Sequence, residues 1–181
     1  MRLELVPGLF LAFTLAAILA TATGLGAARP SSVPSREADD AAIQAVLNDF
    51  HDAAAKADFD RYFRNWADDS VFLGTDATER WVGKQFRDFA QPYFTKGTGW
   101  TYLPRDRHIS LDPAGKFAWF DELLDNEKYG ECRGSGVLTQ RDGRWLILQY
   151  NLSIPIPNDM ASAETARITE WKKVNGPAQT K

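Results

Sequence analysis

The second half of the chain leaves the least freedom. Three strand-like segments, Phe117–Leu124, Gly130–Gln140 and Trp145–Ile154, are joined by the polar turn Asp125-Asn126-Glu127 and by Arg141-Asp142-Gly143-Arg144. Links this short join antiparallel neighbours, and Asp-Gly suits a tight hairpin because glycine accepts positive φ without steric cost. The turn Asp112-Pro113-Ala114-Gly115 attaches a further strand, Trp100–Leu111, whose Pro104 calls for a bulge or an edge position. An antiparallel meander follows.

What precedes the meander is mostly helical. Ile43, Val46, Leu47, Phe50 and Ala54 recur at helical spacing after Glu37, with Asp39 and Asp40 placed favourably in the first turn. Asp58 reads as the cap of a second, short helix carrying Phe59, Tyr62, Phe63 and Trp66. A strand, Ser70–Leu73, then leads into a Gly74-Thr75-Asp76 turn and a third helix from Trp81 to Phe94, ended by Pro92. After Pro155 and Pro157 a terminal helix runs to about Val174, with Met160, Ala163, Ile168, Trp171 and Val174 as its apolar set. Helices first and sheet second predict a single α+β domain.

The amino terminus is a different kind of sequence. Leu9 to Ala28 carries no charge and ends in small residues, with Ala20-Thr21-Ala22 and Gly26-Ala27-Ala28 both suited to cleavage. This predicts a signal peptide or an amino-terminal anchor over 1–28, and in either case a folded part outside the cytoplasm. Residues 29–36, with Pro30, Pro34 and three serines, read as a flexible tether. The folded domain is then expected over 37–157, with the C-terminal helix and tail over 158–181.

Charge and cysteine content exclude several functions. The net charge of −3 gives no electrostatic reason to bind nucleic acid, or a membrane other than through an uncleaved leader. Cys132 is the single cysteine, so neither an intramolecular disulfide nor a thiolate metal cluster can form. His51 and His108 stand far apart without patterned carboxylates, which argues against a metal site. No nucleotide-type glycine loop or nucleophile elbow is present, and no cofactor is expected.

Four stretches carry a family resemblance: Phe72-Leu73-Gly74-Thr75-Asp76-Ala77-Thr78-Glu79-Arg80-Trp81, Trp119-Phe120-Asp121-Glu122, Arg133-Gly134-Ser135-Gly136-Val137 and Tyr150-Asn151-Leu152-Ser153. With the order of elements, they resemble the SnoaL-like branch of the nuclear transport factor 2-like superfamily, in a subgroup of exported bacterial proteins. The resemblance covers about Asp40 to Asp159. It implies a cone-shaped α+β barrel: three N-terminal helices packed in a strongly bent antiparallel sheet, with an extra C-terminal helix and an apolar cavity at one end. It also implies pairing of two copies through the outer face of the sheet. The superfamily holds isomerases, cyclases, dehydratases and hydrolases as well as non-catalytic association domains, so fold alone does not select a function.

Period-two alternation supplies the site candidates. Trp119 and Asp121 share one strand face, and Trp145, Ile147, Gln149, Asn151 and Ser153 share another. The mixture of apolar residues and amides in the second set suits a cavity with a polar floor, so Trp119, Gln149 and Asn151 are expected to line it. Asp121 is the expected general acid or base, against the alternative of an ion pair with Arg80, Arg105 or Arg133. His108 is a second catalytic candidate, against a place on a solvated basic edge. Tyr62 and Trp66 are expected in the cavity wall, against plain core packing. Arg80 and Trp81 are expected at its rim, against a structural clasp in which Asp76 or Thr75 caps the third helix with Glu79. The expected ligand is small and largely apolar or aromatic, with acid–base chemistry of the isomerase, dehydratase or hydrolase kind. The alternative is a non-catalytic homodimer that binds a ligand or a partner.

Overall fold

The computed structural model describes residues 36–176; the expectations for the leader and for residues 29–35 of the tether lie outside them. The element order is α1 (Arg36–Ala55), α2 (Phe59–Phe63), β1 (Trp66–Leu73), β2 (Arg80–Val82), α3 (Lys84–Thr95), β3 (Leu103–Leu111), β4 (Phe117–Asn126), β5 (Gly130–Arg141), β6 (Arg144–Ser153) and α4 (Asn158–Asn175). The α+β architecture is therefore as expected, helices first and meander second. One six-stranded sheet has the order β2-β1-β6-β5-β4-β3.

Two features of that sheet differ from expectation. It is mixed, because β1 pairs with β6 in parallel while every other pair is antiparallel. Parallel pairing needs a long crossover, and everything between Leu73 and Arg144 supplies it. The sheet is also open, with β2 and β3 at its edges.

Local boundaries shift for identifiable reasons. Asp58 caps α2 as read, its Oδ1 accepting from the Arg61 amide at 3.2 Å. The helix stops at Phe63, however, so Trp66 opens β1 instead of extending α2. Arg80–Val82 pairs with Leu73–Val71 as a strand, and α3 begins only at Lys84, with Pro92 inside it. The Asp76 and Glu79 side chains do not cap α3. Asp76 Oδ1 accepts from the Thr78 amide, and Glu79 Oε2 accepts from the Asp76 amide, which closes the β1–β2 turn on itself.

Aromatic rings fill the space between the helices and the inner sheet face. Phe50 stacks on Tyr62 at 5.0 Å and packs edge-on against Trp66, while Phe72 stacks on Phe86 at 4.2 Å. Burying rings of this size, each worth about 1.5–3 kcal/mol, is the main force joining α1, α2 and α3 to the sheet.

Candidate functional site

A carboxylate with zero exposure lies at the centre of this core. On β4, Ala118, Phe120, Glu122 and Leu124 are buried and alternate with exposed Phe117, Trp119, Asp121 and Asp125. Strict alternation thus sends Glu122 inward and Asp121 outward. Glu122 Oε1 is 2.7 Å from His51 Nε2 and accepts from the Tyr150 hydroxyl at 3.0 Å; Oε2 accepts from Arg107 Nε at 2.7 Å. Arg107 Nη1 donates to Gln44 Oε1 and Asn48 Oδ1 of α1.

Each partner reaches Glu122 by a local device. His51 lies on the buried stripe of α1, one turn beyond Leu47 and two beyond Ile43. Arg107 is turned inward by a bulge in β3: Arg105 pairs with Leu123 and His108 with Asp121, so Asp106 and Arg107 together oppose Glu122. Asp106 takes φ +48° there, and Arg107 is only 8% exposed. Tyr150 depends on a second bulge. Leu138 pairs with Ile147 but Val137 with Gln149, so Leu148 is an extra residue that inverts the phase of β6. Trp145 and Ile147 point inward before it, and Tyr150 after it. Gly134 on β5 leaves the path clear, since a Cβ there would lie 2.1 Å from the Tyr150 hydroxyl.

Burial alone would raise the Glu122 carboxyl. The hydrogen bond from His51, the charge His51 carries when protonated and the Arg107 guanidinium outweigh it and hold the group below its ordinary value. An ionised carboxylate only accepts, so the proton of the short contact belongs to His51 Nε2. The Tyr150 phenol is driven far upward by burial and by the Glu122 charge, and it stays a donor.

His51 and Tyr150 also border a small cavity, with Phe50, Ala54, Tyr62, Phe72, Trp100, Tyr102 and Leu152. Its free volume is about 20 Å³, room for one water molecule. Burial pushes the Tyr62 phenol well above its ordinary value, and that of Tyr102 up to about 12. The Tyr62 hydroxyl has no hydrogen-bond partner; the Trp100 indole leans on it edge-on without bonding geometry. Trp100 is held by the loop after α3, where its amide donates to the Ala54 carbonyl at 3.3 Å.

The expected site residues divide between the two faces. Tyr62 lines the cavity as expected. Trp66 is buried in the core with its indole nitrogen unpartnered, but does not border the cavity. Asp121, His108 and Trp119 lie exposed on the outer face, opposite the cavity, because alternation on β4 and the β3 bulge turn them there. Gln149 and Asn151 also face outward, carried over by the β6 bulge. Arg105 is engaged by Asp125, Asp106 and Glu131 and does not pair with Asp121. Arg80 is exposed on β2, and Trp81 packs on Phe72 and Phe89 outside the cavity. Among the described residues no group of three or more potential ligands could hold a metal ion.

Comparison with known proteins agrees with this architecture. The model of the SnoaL-like domain matches residues 43–157. The chain belongs to that family. A nuclear transport factor 2-like protein of unknown function from Pseudomonas putida superposes with a TM-score of 0.58 at 14% identity, over 70% of this chain and 92% of that one. A candidate dehydratase of the same superfamily from Streptomyces avermitilis gives 0.56 at 13% identity, over 68% and 100%. A candidate scytalone dehydratase from Novosphingobium aromaticivorans gives 0.53 at 10% identity, over 65% and 85%. At these identities the likeness extends to the fold alone. No curated protein matches the chain.

Proposed function

We propose that the domain binds a small, largely apolar or aromatic molecule in the cavity beneath the sheet, with His51 as its acid–base group. One observation carries this reading: a histidine oriented by a fully buried carboxylate opens onto an aromatic-walled cavity that also holds an unpartnered tyrosine hydroxyl. With Nε2–H donated to Glu122, Nδ1 is the ring nitrogen left to take a proton from a ligand. Tyr62 supplies a donor for a ligand oxygen. Isomerase or dehydratase chemistry uses an acid–base group and a hydrogen-bond donor of this kind, and candidate dehydratases stand among the structural relatives. A ligand larger than water needs the cavity to widen, and Trp100, on the loop after α3, is one of its walls.

A second reading is a non-catalytic homodimer that binds a ligand or partner, paired through the outer sheet face. It is supported by the small free volume and by Phe117 and Trp119, 47% and 52% exposed on that face. Export to the periplasm or medium is proposed on the apolar stretch Leu9–Ala28.

The test is a panel of neutral one- and two-ring carbonyl and phenol compounds, followed by ¹⁵N shifts of the His51 ring and the Trp100 indole. Binders are expected to move both signals, and Tyr62→Phe to weaken them roughly three- to tenfold, the worth of one hydrogen bond. Binders that move the Trp119 indole and leave His51 and Trp100 unchanged would overturn the reading.

A further inference from the structure

The C-terminal helix is left without a partner by its own domain. None of the residues of α4 is buried, and only Ala161 and Glu164 are half-buried. Met160, Ile168, Trp171 and Val174 are 46–78% exposed, and Ile154 and Ile156 in the approach to the helix are 42% and 43% exposed. Among the described residues its side-chain bonds stay within the helix, Arg167 to Glu164 and Lys173 to Glu170. Helices in proteins owe most of their stability to packing of an apolar side, so these residues call for a surface to cover them. The helix also lies beyond the stretch 43–157 matched by the family model.

Its charges restrict the choice of surface. Asp159, Glu164 and Glu170 balance Arg167, Lys172 and Lys173. An anionic membrane or a nucleic acid selects an excess of basic residues, so a protein surface with apolar content fits better. The domain carries one: Phe117, Trp119 and Val82 are exposed on the outer sheet face. Trp119 lies in a row with Val137, Gln149, Val71 and Val82 by register.

The helix of the same chain does not cover the Trp119 end of that row, where Phe117 and Trp119 stay 47% and 52% exposed. The apolar side chains of α4 meanwhile face solvent. We infer that α4 of one copy docks on the outer sheet face of a second copy, its Ile168 and Trp171 covering Phe117 and Trp119, and that the exchange is reciprocal. The four exposed apolar side chains of the helix, on the order of 100 Å² each, with an equal receiving area and doubled by two-fold symmetry, reach the roughly 1,600 Å² of a stable pairing. This docking rests on the dimeric reading above and adds to it which element seals the face.

Two full-length variants test it, Trp119→Cys and Trp171→Cys, one carrying a size tag, mixed and oxidised; the native Cys132 is buried. A disulfide joining the two different chains is expected. The variant Ile168→Asp with Trp171→Asp is expected to shift the unaltered protein's dimer to monomer in sedimentation. A dimer that persists in that variant without the mixed disulfide overturns the helix docking and leaves sheet pairing intact. A Trp119→Cys/Trp171→Cys chain that cross-links only within itself places the helix on its own sheet and also overturns the docking. A full chain that is monomeric throughout overturns both the docking and the dimeric reading.

Discussion

Asp121 and Glu122 are neighbours in sequence and sit on opposite faces of one sheet. Asp121 is exposed between His108 and Ser135, on a face that has apolar residues but no enclosed space. Glu122 has no exposure and takes three donors from three different elements. The same functional group is a solvated surface charge in one place and the organising centre of a buried network in the other. Proximity in sequence therefore says little; the phase of the strand decides which carboxylate can be desolvated, oriented and used.

The largest expected effect comes from removing each carboxylate in turn. Glu122→Ala leaves Arg107 buried without its partner and is expected to cost about 3–5 kcal/mol in denaturant unfolding. Asp121→Ala is expected to stay within about 0.5 kcal/mol. Equal effects would erase the distinction between the faces. Next in size is Gly134→Ala, where the added methyl meets the Tyr150 hydroxyl and separates it from Glu122. A loss of about 1–3 kcal/mol is expected, against about 1 kcal/mol for Tyr150→Phe, which removes only the hydrogen bond.

Acid unfolding gives a smaller, pH-dependent contrast. Because the folded Glu122 carboxyl titrates below its ordinary 4.5, its ionised form stabilises the fold fully above that value. That contribution disappears as pH falls through the lower folded value. The stability gap between the native chain and Glu122→Gln is therefore expected to narrow below about pH 4.5 in thermal scans.

Sequence reasoning points to Asp121 and misses Glu122 and His51, although a signal for both is present. Glu122 is the charged member of the apolar series Ala118, Phe120 and Leu124, and His51 falls on the stripe of Ile43 and Leu47. A titratable group in an apolar register is a strong sign of a buried network, and that sign singles out Glu122 over Asp121. The misplacement of Gln149 and Asn151 has another cause. Period-two counting from Trp145 holds only while the strand is regular, and the extra Leu148 reverses it. The bulge that turns Arg107 inward is equally silent in residue pattern, although Pro104 called for a bulge or an edge position, and β3 has both. Meander, helix order and family were readable because turns and periodicity are local. The site was partly hidden because two inserted residues set its phase.

The two histidines permit the most direct measurement, since His51 faces the network and His108 faces solvent. Long-range ¹H–¹⁵N spectra of the imidazoles report which nitrogen carries a proton and how fast it exchanges with water. For His51 a proton on Nε2, protected from exchange and released to solvent only in Glu122→Gln, is the expected result, with the His108 ring exchanging freely. A His51 ring protonated on Nδ1 alone, or exchanging as fast as His108, would contradict the account of a histidine held by a buried carboxylate.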